Sequence, residues 1–327
     1  MENKNIGLSA IRIIATLMIL LCHICQFYNF FLAWWLNVGV QIFLTLSGYI
    51  FGKKYILNPS KWLLKRFIRI YISYILLIII ISLIYVIMFP NLFSVNKFFV
   101  HIFCLQGIYG TFDNLYHLWY ITYILICYML TPLLQFLFDK QYKVRSICFI
   151  FFIIIFLMWI ITGKLEMLWL ISYIIGYFMG KFDFLNKLKK TYITVIIIIA
   201  VVACSIKVIL SSISFTSIIG MLFVVYSYLT HILLGLMLFC VIYFVENKLY
   251  IVNRLYNILL FSMIDKLSYE IYLVHQIFIL GTFSIILLCK SMFLNYMILA
   301  IMILLISFFL NFISGFISKK VKQLYNI

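Results

Sequence analysis

Apolar residues along this chain come in long runs at about 8–27, 36–52, 71–89, 117–138, 146–162, 167–180, 191–210, 226–245, 267–289 and 293–317, separated by short polar joints. A segment needs roughly 20 largely apolar residues to cross the hydrocarbon core of a bilayer. Inside that core each backbone N–H and C=O must find its partner within the segment, which favours helices. The pattern predicts an all-α, polytopic transmembrane helical bundle of about ten spans. No joint leaves room for a soluble domain, so residues 1–327 are read as a single membrane domain. One stretch is ambiguous: 211–226, SSISFTSIIGMLFVVY, is apolar but short and Ser-rich. It suits a re-entrant or interfacial piece, or an extension of the following span.

Composition agrees with lipid as the solvent, because 67% of residues are hydrophobic and only 10% are charged, too little polar surface to cover a soluble globule. The net charge of +17 would suit nucleic acid, but the placement of the cations follows the membrane. With the N-terminus inside, twenty Lys and Arg, from Lys4 to Lys322 and including Arg254, fall in the inner segments, whereas the outer loops hold Lys97, Lys164, Lys207 and Lys290. The positive-inside rule therefore predicts that both termini are cytoplasmic, and no nucleic-acid partner is expected. The first run is too long, and its flank too poor in basic and small residues, for a removed leader, so it is read as span 1. The eight cysteines are scattered with no CxxC or Cys/His cluster, so neither a disulfide framework nor a metal site is expected.

Ionisable side chains within a span are costly and call for a partner or a function. In span 1, Arg12 and His23 are eleven residues apart, about three turns, which puts them on one face roughly 16 Å apart along the axis. Alone, Arg12 reads as snorkelling and His23 as interhelical glue; together they put a fixed cation and a titratable base on one stripe. Arg66 and Arg69, three apart at the entry to span 3, suit a phosphate clamp as well as a basic inner loop. Span 4 opens with His117 and Trp119, either interfacial anchors or groups at the depth of His23. Span 9 carries Glu270, Tyr272 and His275; Glu270 suits a structural bridge to Lys266 or Arg12, and His275 near mid-bilayer is the harder residue to explain structurally. His101 and His231 are read as structural.

In this order, the residues resemble the acyltransferase 3 family, bacterial membrane enzymes that O-acylate cell-envelope carbohydrates. The matching features are Arg12-x10-His23, VGVQIFLTLSGYIF at 38–51, KRFIRIY at 65–71, HLWYI at 117–121 and SYEIYLVHQ at 268–276. They extend from residue 7 to about residue 290, nearly the whole chain. One departure is Ser73, where the family often has Pro, which leaves the helix kink there in question. No extracytoplasmic hydrolase-like domain of the kind some relatives carry is expected.

The resemblance implies a multi-pass O-acetyltransferase of the bacterial plasma membrane, taking acetyl-CoA or another acyl-CoA as donor substrate, with no tightly bound cofactor. The acceptor it implies is a hydroxyl of a cell-envelope carbohydrate. Arg66 and Arg69 would hold the donor phosphates, and His23 would act as general base or transient acyl carrier. Arg12 would orient the donor, with Ser47 and Gly48 allowing close approach of a helix or the donor. His117, Trp119, Glu270, Tyr272 and His275 would bind the acceptor or support the site. Two other readings use the same residues: a transporter of an envelope glycan or small metabolite, with the intramembrane Arg and His as its path, and a sensor that keeps the fold without the chemistry.

Overall fold

A computed structural model describes residues 6–213, 216–249 and 259–324, which form helices joined by short turns, with no strand among the described residues. Lys4 and Arg254 of the predicted inner cations, and Ser214 and Phe215 of the ambiguous stretch, lie outside the described residues. The helices are α1 (Ile6–Phe27), α2 (Leu32–Leu36), α3 (Gly39–Gly52), α4 (Pro59–Met88), α5 (Val95–Ile102), α6 (Gln106–Tyr109) and α7 (Trp119–Asp139). They continue with α8 (Val144–Thr162), α9 (Leu170–Lys181), α10 (Lys190–Leu210), α11 (Ser217–Leu249), α12 (Leu259–Ile279) and α13 (Met292–Leu324). Among the described residues, eight helical stretches are long and apolar enough to cross a membrane. Of the remaining apolar runs, one holds α9, only 12 residues long, and the other overlaps α12, which carries Asp265, Lys266 and Glu270.

Two boundaries differ from the hydropathy pattern. From Ser217 onward the ambiguous stretch is part of α11, which takes it as an extension of the following span. The ninth run reaches residue 289 in hydropathy, but its helix starts earlier, at Leu259, and stops at Ile279. Past that end the amide of Gly281 bonds back to the Gln276 carbonyl, and the Ser284 hydroxyl donates to the Ile279 carbonyl at 2.7 Å. Side chain and turn thus satisfy the last carbonyls, and an apolar composition does not by itself continue the helix.

The chain divides into two compact units, each assembled from three separate segments: Met1–Ile19, Trp34–Tyr55 and Leu134–Asp265 in one, and Leu20–Ala33, Ile56–Leu133 and Lys266–Ile327 in the other. In the first, α3 packs closely against α9 because each carries a Gly-x-x-x-Gly pair, Gly48/Gly52 and Gly176/Gly180. A Cβ on Gly48 would lie 2.0 Å from the Tyr173 carbonyl oxygen, and one on Gly176 would lie 2.2 Å from that of Thr45. Small residues in this spacing let helix backbones approach where lipid provides no hydrophobic drive between them. Gly48→Ala and Gly176→Ala are therefore each expected to cost about 1–3 kcal/mol through overpacking, read as a lower melting temperature in detergent. Gly315→Ala, where nothing lies within 4 Å, should not lower it. Equal melting of all three variants would refute backbone contact as the reason for these glycines.

In the second unit, α4 begins at Asn58, whose side chain accepts from the Lys61 amide, followed by Pro59 in the first turn, a start suited to both residues. The helix runs unbroken to Met88. Ser73, standing where the resemblance suggested proline, donates its hydroxyl to Glu270 Oε1 at 3.2 Å and lies 2.9 Å from Ser314 Oγ. The Tyr269 hydroxyl donates to the Ile70 carbonyl at 2.8 Å. These bonds tie α4 to α12 and α13.

Candidate functional site

The second unit brings together three histidines from distant parts of the sequence. His23 comes from the last turns of α1, His117 from the 3-10 turn Tyr116–Leu118 that leads into α7, and His275 from α12. The ring centroids of His23 and His275 are 4.9 Å apart, those of His117 and His275 5.0 Å, and those of His23 and His117 6.4 Å. His117 is 3% exposed and His275 fully buried.

The hydrogen bonds determine which nitrogen of each ring carries the proton. His23 Nδ1 faces Gln26 Oε1 at 2.6 Å, and an amide oxygen only accepts, so Nδ1 donates and Nε2 keeps its lone pair. His117 Nε2 donates to the Leu273 carbonyl at 3.0 Å. His275 Nδ1 donates within its own helix, to the carbonyls of Tyr272 at 2.7 Å and Ile271 at 3.2 Å. Three lone pairs remain, on His23 Nε2, His117 Nδ1 and His275 Nε2, and the last two are buried without a hydrogen-bond partner. A buried acceptor without a donor is costly.

The frame around the rings comes from α12. The Tyr272 hydroxyl donates to the His117 carbonyl, and Gln276 Oε1 accepts from the His117 amide at 2.9 Å. The Tyr272 ring also meets those of Tyr120, His117 and His275. Of the candidates named from sequence, His23, His117, Tyr272 and His275 therefore converge. Gln26 and Gln276 also belong to this cluster, although sequence reading passed over them; the one available signal was their i+3 and i+1 spacing from His23 and His275.

The other candidates sit elsewhere. Trp119 packs edge-on against Tyr123 at 5.0 Å. Glu270 bonds to Ser73 on α4, a structural bridge with a different partner from Lys266 or Arg12. Arg12 pairs instead with Asp265, a residue the sequence reading did not single out. Arg66 lies over the Trp62 ring at 5.7 Å, and Arg69, one turn further along α4, is exposed. Gly48 is occupied by the α9 backbone, with Ser47 beside it on α3. Two carboxylates outside that set are paired as well: Asp113 with Lys97 at 2.9 Å, and Glu166, which accepts from the Tyr228 hydroxyl at 3.1 Å.

His101 and His231 have structural surroundings. His101 is fully buried, stacks on Phe112 at 4.9 Å, accepts from the Phe112 amide at 3.1 Å and lies 2.8 Å from the Tyr74 hydroxyl. Burial, with Lys97 adding to it, pushes the His101 imidazole down to about 3. His231 stacks on Trp34 at 3.9 Å and donates to its carbonyl at 2.9 Å. Among the described residues, no group of three or more His, Cys, Asp or Glu is placed to hold a metal ion.

A family model described as an acyltransferase domain matches residues 5–312. No curated protein and no solved structure matches the chain.

Proposed function

The chain belongs to the acyltransferase 3 family, with residues 5–312 of its 327 matched, and from that premise we propose that it is an O-acyltransferase moving an acetyl group from acetyl-CoA to a hydroxyl of a cell-envelope carbohydrate in a bacterial plasma membrane. Membership makes the protein an acyltransferase, and its apolar helices make it a multi-pass membrane protein. The finer reading is supported above all by one observation: His23 keeps an unshared lone pair at the head of a cluster of imidazoles.

In this reading the donor enters from the cytosol, and Arg66 and Arg69 take its phosphates, since two guanidinium forks one turn apart suit an extended polyphosphate. His23 Nε2 accepts the proton of the attacking hydroxyl while Nδ1 stays tied to Gln26, which keeps the ring in one tautomer and orientation. The hydroxyl oxygen bonds to the thioester carbon, the carbon–sulfur bond breaks, and the coenzyme A thiol leaves. Exclusion of water strengthens any donor aimed at the oxyanion that develops. Arg12, tied to Asp265, acts on the donor through the position of α1.

The test follows labelled acetyl from acetyl-CoA into envelope carbohydrate in membranes with and without the protein. Label that depends on the protein is the expected result, and Arg66→Gln or Arg69→Gln should raise the KM for acetyl-CoA roughly tenfold each, the size of one charge-assisted contact. Movement of unmodified carbohydrate without incorporation of label would favour a transporter instead.

A further inference from the structure

Among the described residues, no carboxylate forms an ion pair with any of the three clustered imidazoles. Their polar surroundings are Gln26 on α1, Tyr272 and Gln276 on α12, Tyr120 on α7 behind Tyr272, and the buried His101 on α5, within electrostatic reach of His117. Each ring already spends its one N–H on a fixed oxygen, so what it offers its neighbours is a lone pair only. Two of those lone pairs, on His117 Nδ1 and His275 Nε2, are buried and unanswered. The arrangement lacks one component, a proton, which turns one of the three nitrogens into a donor facing the others.

We propose that His23, His117 and His275 hold a single proton in common. The first proton supplies the donor that the orphaned acceptors lack, and the charge is spread over more than one ring. A second proton would set two like charges on rings whose centroids are 4.9 Å apart, one of them fully buried and neither ion-paired, so the cluster stops at one.

Applied to the acyl transfer proposed above, on which this application rests, the cluster stores the proton between two steps. The acceptor oxygen forms its bond to the acyl carbon, the electron pair of the carbon–sulfur bond goes to sulfur, and the hydroxyl proton goes to His23 Nε2. From there it is shared with His275 and His117 until the departing thiolate takes it as coenzyme A thiol. His275 and His117 are positioning residues in this scheme, acting on the reaction through His23.

The experiment has two arms. In the first, the protein is labelled with 15N-histidine, placed in lipid nanodiscs and followed by 15N NMR as the pH is lowered. The expected result is uptake of one proton by the cluster, with the signals of His23, His117 and His275 moving together; three rings that titrate in separate steps overturn the proposal. The second arm uses His275→Gln, which keeps a hydrogen-bonding side chain but cannot share a proton. It is expected to lower kcat about tenfold, the lower part of what one proton-handling group contributes, and to displace the pH profile of kcat with the KM for acetyl-CoA unchanged. A slower variant with the wild-type pH profile would mark His275 as merely structural and overturn its role. The two readings fail separately: rings that move together in a protein that transfers no acetyl leave the shared proton standing and remove the acyl transfer, and the reverse pattern does the opposite.

Discussion

His23→Ala is expected to lose acetyl transfer by roughly a hundred- to ten-thousand-fold, the usual contribution of a general base, while the protein inserts and melts as the wild type does. Stability should survive because His23 is only half-buried and its Nδ1 bonds to the exposed Gln26 of the same helix. The cost therefore falls on the chemistry. His23→Gln sharpens the comparison, since it retains a polar side chain of similar length but cannot accept and pass on a proton. Both variants should be inactive at membrane levels matched to wild type. Full transfer by His23→Ala would remove the imidazole from the mechanism, and transfer by His23→Gln alone would reduce its role to hydrogen bonding.

The second large effect concerns stability. Arg12→Ala takes the cation away from Asp265, whose side chain is 1% exposed. Because the Arg12 side chain is 28% exposed, the loss is expected to be about 1.5–3 kcal/mol, the size of a hydrogen bond to a charged group. The melting temperature in detergent should fall accordingly. Asp265→Asn combined with Arg12→Gln removes both charges and is expected to recover much of the stability. Recovery no better than in Arg12→Ala would mean that the pair does not carry the effect. The double variant also isolates the functional role of Arg12: a folded protein with a raised KM for acetyl-CoA supports donor orientation, and an unchanged KM leaves Arg12 as a structural partner of Asp265.

Much of the site was legible along the chain as single residues. Arg12, His23, His117 and His275 stand out because hydrocarbon penalises polar side chains, so each survivor among apolar neighbours carries information. Gln26 and Gln276 were not legible in the same way, because neutral amides are less conspicuous and one lies near a helix end. The Gly-x-x-x-Gly pairs of α3 and α9 were visible as letters, but nothing in either helix says that the other is its partner. Asp265 lay next to Lys266, where local reading suggests an ordinary polar helix start; Arg12, with which it pairs, is 253 residues away.

By itself, the sequence determined that the protein is helical and crosses the membrane repeatedly, because twenty apolar residues in a row leave the backbone no partner except its own helix. It also determined which residues share a helix face, because the 3.6-residue period is a local property. Which faces meet was decided only by tertiary structure. Helix periodicity fixes the direction of a side chain relative to its own axis but contains nothing about the neighbouring helix. That is why His23 could be named from the chain, whereas its meeting with His117 and His275, the pairing of Arg12 with Asp265, and the hydrogen bonds that leave His117 Nδ1 and His275 Nε2 without a partner arise from the packing.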